Sequence, residues 1–232
     1  MTRLTPFEDP KLAKPLLTAK PISAIASNAA RLSVFSIAFF VIVLGTLHLL
    51  EPEFDPTWRF ISEYALGSFG WMMHLAFVLL AVSLVSAGVA IFSQVRTLAG
   101  YIGLVIFGLS ATGVLIAAVF VTDPISVSPD AATFSGKMHS IGATLDYTPV
   151  AALLISFALA RNEAWRPIRG RLFVTSGIMI VLMALFILQI PGDGQFNPDV
   201  LAGLFGRFLV VSYLGWFLSV GFHVIKLRKL SE

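Results

Sequence analysis

Apolar residues fall in six long blocks along this chain, near 33–50, 70–93, 99–121, 139–160, 172–190 and 203–225, with polar residues collected between them. Each block approaches the roughly 20 residues that an α-helix needs to cross a hydrocarbon core. The pattern predicts an all-α, polytopic membrane bundle of six transmembrane helices. Residues 33–226 make up this domain, and the connections are too short for a second one. Residues 1–32 carry Pro6, Pro10, Pro15 and Pro21 among basic residues and read as a disordered tail, and 227–232 as a short second tail. No short apolar core followed by a small-residue cleavage site opens the chain, so a cleaved signal peptide is not expected.

The longest polar interruption in the first half runs from His48 to Trp71. Asp55 can act as N-cap, Pro56 as first helical residue and Gly67 as stop, with Phe60, Ile61, Tyr64 and Ala65 forming an apolar stripe. A short interfacial helix is therefore expected in the first outer loop. Asp55, Arg59 and Glu63 lie at i, i+4 intervals on its other face, where they can pair in series, with Ser62 alongside. The competing reading is that these charges only hold a surface helix in shape.

Composition agrees with the pattern. The chain is 57% hydrophobic and 12% charged, with a mean hydropathy of +0.87, far from the quarter charged that is usual in soluble domains. It has no cysteine, which excludes disulfides, thiolate nucleophiles and thiolate metal sites. A sequence pI of 9.4 does not point to nucleic acid, because the basic residues sit in loops between apolar spans. Thirteen of the sixteen Lys and Arg fall in the first tail, around Arg96, in Arg161–Arg171 and after residue 225; Arg59, Lys137 and Arg207 are the remainder. The positive-inside rule then puts both termini in the cytoplasm and the loops 51–69, 122–138 and 191–202 outside. Glu51, Glu53, Asp55, Glu63, Asp123, Asp130, Asp193 and Asp199 gather on the outer side. That acidic excess marks the outer face as the place for polar chemistry.

The candidate ligand or proton site consists of Ser62, Glu63, Asp123, His139, Asp146 and Arg207, with His48, Arg59 and His74 as secondary members. His139 and Asp146 are seven residues apart and share a helix face. An ionised carboxylate that deep in a span costs a few kcal/mol without a partner, and Arg207, also inset from the outer surface, is the expected cation. Structural alternatives exist for each. Asp123 before Pro124 suits a turn, His139 suits a cap, and an Asp146–Arg207 pair could fix helix register. His223, at the other end of the last helix, is left outside the cluster. No phosphate loop, nucleophile elbow or His-Glu-x-x-His motif occurs.

Ile-Ser-Glu-Tyr-Ala-Leu-Gly (61–67), Val-Phe-Val-Thr-Asp-Pro (119–124), Ser-Gly-Lys-Met-His-Ser (135–140) and Gly-Leu-Phe-Gly-Arg-Phe (203–208) together resemble the bacterial and archaeal membrane family catalogued as domain of unknown function 998. The resemblance covers roughly residues 35 to 226 and implies a prokaryotic plasma membrane. Two departures stand out. Phe120-Val121 precedes Thr-Asp-Pro where the family usually has Phe-Pro, and Lys137-Met138-His139 replaces a frequent His-x-His, so a two-histidine metal site does not carry over. The resemblance implies a fold and a site placement and names no reaction.

Three function classes remain. The first is binding or transport of a small ligand, a lipid headgroup or protons at the outer cluster, with Asp146 and His139 titrating. The second is a metal-dependent lipid hydrolase or transferase with a divalent ion on Asp123, His139 and Glu63; no other cofactor is evident. The third is a structural or accessory membrane protein. The bilayer is the one partner all three share.

Overall fold

A computed structural model describes residues 20–192 and 194–231. Within them lie seven α-helices: α1 (Ala24–Leu50), α2 (Gly70–Ile91), α3 (Leu98–Val119), α4 (Phe134–Thr144), α5 (Thr148–Leu159), α6 (Arg169–Leu188) and α7 (Ala202–Ser231). They supply six spans long and apolar enough to cross a membrane, the fourth being α4 and α5 in series. The chain is thus a multi-pass membrane protein. Consecutive spans pack side by side, and α7 closes the ring against α1. An even number of spans returns the chain to the side on which it starts. Lys and Arg dominate that basic end, and the acidic loops 51–69, 120–133 and 189–201 form the other.

Helices in lipid gain little from apolar burial, so close packing holds them. Small residues provide it here. Ser33 and Ser83 exchange hydroxyl hydrogen bonds between α1 and α2 at 3.0 and 3.1 Å. Gly113 and Gly142 bring α3 and α4 so close that a Cβ on either would strike the other's backbone carbonyl. Trp216 of α7 reaches across to donate to Ser156 of α5 at 3.0 Å and packs edge-on against Phe107 of α3.

Several expectations change. α1 begins at Ala24, so residues 24–32 are helical and not a disordered tail; Ser23 caps it by accepting from the Ala26 amide at 3.1 Å. Residues 1–19, Asp193 and Glu232 lie outside the described residues. The 227–231 stretch continues α7. No helix starts at Asp55. Its carboxylate folds back onto the Thr57 amide and hydroxyl at 2.9 and 2.6 Å, forming a local turn that competes with helix initiation. Only Ile61–Leu66 is helical, as a 3₁₀ turn that ends at Gly67 as expected. The fourth span is not continuous: Asp146 and Tyr147 interrupt it. Pro149 near the start of α5 has no amide to bond back across the gap and is suited to a first helical turn.

Candidate functional site

The acidic end is built on Arg207. It lies in the second turn of α7 and is only 6% exposed. Its Nε donates to His48 Nε2 at 2.7 Å; Nη1 donates to the carbonyls of Pro56, Arg59 and Gly203 at 3.1, 2.6 and 3.1 Å; Nη2 donates to the Tyr64 hydroxyl at 3.2 Å. The guanidinium also lies 5.5 Å over the Tyr64 ring. His48 Nδ1 sits 2.7 Å from the Leu44 carbonyl. A carbonyl only accepts, so Nδ1 carries the proton and Nε2 presents a lone pair to Arg207. One planar fork thus joins the end of α1, the first loop and the start of α7.

The expected Asp146–Arg207 pair does not form. Arg207 directs its donors toward the loop that folds over α7, whereas Asp146 lies midway along the 26-residue fourth span. Its Oδ1 accepts from the Thr148 amide and hydroxyl at 3.1 and 2.6 Å, and its Oδ2 accepts from the Tyr213 hydroxyl of α7 at 3.1 Å. Ser110 of α3 accepts from the Tyr147 amide at 2.9 Å, which anchors the break to the neighbouring helix. The carboxyl therefore has neutral donors around it and, among the described residues, no basic side chain within ion-pair distance.

Of the series predicted in the first loop, one link exists. Arg59 grips Glu63 with two hydrogen bonds of 3.2 and 2.8 Å, while its contact with Asp55 is only backbone to backbone. Glu63 is 1% exposed, Ser62 beside it is also buried, and Glu63 Oε1 additionally accepts from the Ile125 amide at 2.9 Å. It ties the first acidic loop to the second. Asp123 closes that second loop: its carboxylate takes the Thr133 amide and hydroxyl, each at 2.8 Å, and Thr133 in turn caps α4 by accepting from the Gly136 amide.

His74 and His139 cap the end of α3. His139 Nδ1 donates to the Phe120 carbonyl at 2.9 Å, with Ala117 O at 3.2 Å, and His74 Nδ1 donates to the Ala118 carbonyl at 2.6 Å. These carbonyls are the ones a helix terminus leaves without intrahelical partners. Glu63, Asp123 and His139 each direct polar atoms to separate loop or helix-end partners. Among the described residues no three His, Asp or Glu side chains are grouped to hold a metal ion, so the donors do not fit the metal reading. His223, at the basic end, bonds the Ala164 carbonyl and packs on Trp165, away from this cluster as expected.

Two buried polar residues lie outside the set expected from the sequence, although Glu51 belongs to the outer acidic group. Glu51, 1% exposed, accepts from the Phe69 amide at 2.5 Å, and its Oε2 is a buried oxygen without a partner among the described residues. Tyr213 is 1% exposed and faces Asp146. A Glu-Pro step after an apolar block and a lone tyrosine within one gave no periodic signal. The Asp-Tyr-Thr-Pro run at 146–149 did carry a readable one, a side-chain acceptor before a proline helix start.

A family profile described as "Protein of unknown function (DUF998)" matches residues 34–223. No curated protein and no solved structure matches the chain.

Proposed function

The chain belongs to the DUF998 family, whose description carries no activity, and we propose that this member binds and passes a proton or a small monovalent cation at Asp146. The observation that carries this reading is the carboxyl at the interrupted middle of the fourth span, held by Thr148 and Tyr213 with no basic side chain beside it among the described residues. Charge at that depth is costly unless neutralised. Arg207, the cation within reach by sequence, is engaged elsewhere, so a proton or a small cation is the remaining neutraliser. An interrupted membrane helix frees backbone groups next to the carboxyl, the arrangement by which broken spans hold coupling ions.

The acidic-end residues take a different part. Glu63, Asp123, His139 and Arg207 each have their polar groups engaged by loop or helix-end partners, which supports a holding role: they fasten the loops over the outer entrance to the bundle. We place the basic end in the cytoplasm and the acidic end outside, on the lysine and arginine bias, and the membrane in a prokaryotic cell, on the family resemblance.

The test is ion flux in proteoliposomes under an imposed membrane potential, with a trapped pH dye and, in parallel, sodium and potassium gradients. Wild type is expected to pass one of these ions. Asp146→Asn, which keeps the acceptor for Thr148, is expected to abolish the flux while the protein stays folded, and Asp146→Glu to retain part of it. Equal flux in wild type and Asp146→Asn, or none in either, overturns the reading.

A further inference from the structure

The basic end carries a cleft of about 190 Å³ between the start of α1 and the end of α7. Arg31, Arg228 and Lys229 line it, together with Ser27 and Asn28. Among the described residues no carboxylate lines it and Arg31 and Lys229 make no ion pair. Arg228 is fixed in place by its 3.0 Å bond to the Ile22 carbonyl just before α1. Ser27 is 5% exposed. Three cations, a serine hydroxyl and an amide thus converge on one cavity, a donor set suited to phosphate oxygens.

A second cavity adjoins the first. Asn28 lines both, and the second lies on the α1–α2 side, walled by Ile25, Ala29, Leu32, Val85 and Val89. Its lining is nearly all apolar, its volume is about 390 Å³, and Ile25, Val85 and Val89 are 73, 53 and 46% exposed. A polar, cationic cleft at the end of two membrane spans continues into an apolar groove along the flank of one of them. A free anion would use only the cleft, whereas an amphiphile uses both.

We propose that α1 forms a binding site for an anionic phospholipid, with its phosphate in the Arg31–Arg228–Lys229 cleft and an acyl chain in the groove between α1 and α2. Basic pockets between spans at the headgroup level recognise lipids in this way. The site is at the opposite end from the acidic loops and does not depend on ion passage at Asp146.

Native mass spectrometry of the detergent-purified chain tests it, with dioleoyl phosphatidylglycerol as probe and dioleoyl phosphatidylcholine as reference. Wild type is expected to retain phosphatidylglycerol preferentially. Arg31→Ala with Lys229→Ala, both on exposed side chains, should weaken that retention about 25-fold, from about fivefold per cation removed, at an unchanged melting temperature. Val85→Trp should weaken it by filling the groove while leaving the charges in place. Equal retention of the two lipids by wild type overturns the proposal, as does full retention by the double variant. Displacement of the lipid by millimolar inorganic phosphate, with Val85→Trp unaffected, would identify a free-anion site and also overturn it.

Discussion

Arg207 Nε donates to His48 Nε2 across 2.7 Å, so a buried cation is held by a neutral imidazole where a carboxylate would be the usual partner. The imidazole can accept because Leu44 fixes its proton on the other nitrogen. Lysine cannot reproduce the five-donor fork. Arg207→Lys is expected to destabilise the protein by about 2–4 kcal/mol, since several buried acceptors lose their donor. His48→Ala should cost about 1–3 kcal/mol by leaving the Nε proton unpaired. Denaturation midpoints for both variants and their double mutant check this, and the pair should couple by about 1 kcal/mol or more; simple additivity would show that the contact is not a link.

Glu63 connects two loops through Arg59 and the Ile125 amide. Glu63→Ala is expected to speed hydrogen exchange at Ile125 by at least tenfold, the equivalent of about 1.4 kcal/mol in local opening. Glu63→Gln should have a smaller effect, because it keeps an acceptor. Equal exchange in all three proteins would mean that the loops are held independently.

Two glycines allow carboxylates to approach. A Cβ at Gly67 would land on the Glu51 carboxylate, and one at Gly136 on that of Asp123. Alanine at either position should destabilise by about 1–3 kcal/mol through overpacking. Gly45 and Gly108 have nothing within 4 Å of the same added atom. Alanine there should be neutral or stabilising by up to ~1 kcal/mol, from helix propensity alone. Thermal midpoints of the four variants separate the two classes.

The Thr57 hydroxyl and amide hydrogen bonds hold the Asp55 carboxyl below the ordinary aspartate range. A depressed folded-state value stabilises the protein above the ordinary aspartate pKa, and this is lost as pH falls through the depressed one. Wild type should therefore exceed Asp55→Asn in stability at about pH 7, and the difference should shrink as pH falls through the depressed value. Melting temperatures of the two proteins across that interval give the answer; a difference that grows in acid would contradict it.

The chain has no cysteine, so single-cysteine variants report orientation without background. Ser126→Cys, in an exposed acidic-end loop, is expected to react with an impermeant maleimide applied to intact cells. Glu163→Cys, exposed at the basic end, should react only after the membrane is opened. The reverse pattern would invert the orientation.

Six apolar blocks determined six spans, because lipid demands about 20 apolar residues per crossing wherever the helices later pack. Part of the local chemistry was readable where partners are near in sequence, although Asp55 turned onto Thr57 in place of capping a helix. Arg59 and Glu63 pair at i, i+4, Gly67 stops its turn, and Asp123 serves a loop. The resemblance to the family held over nearly the stretch expected.

What depended on long-range packing was not readable. Arg207 and Asp146 are inset from the same side, and opposite charge alone made them partners on paper. The choice was made by the first loop, which lays the carbonyls of Pro56 and Arg59 over α7, and by Tyr213, which faces the break in the fourth span. A guanidinium takes whichever acceptors the fold brings within hydrogen-bond reach, across 148 residues in the case of Arg59. Sequence determined which groups need partners in the membrane; only the tertiary structure decided which partners they have, because hydrogen bonds act over ångströms in space and are blind to distance along the chain.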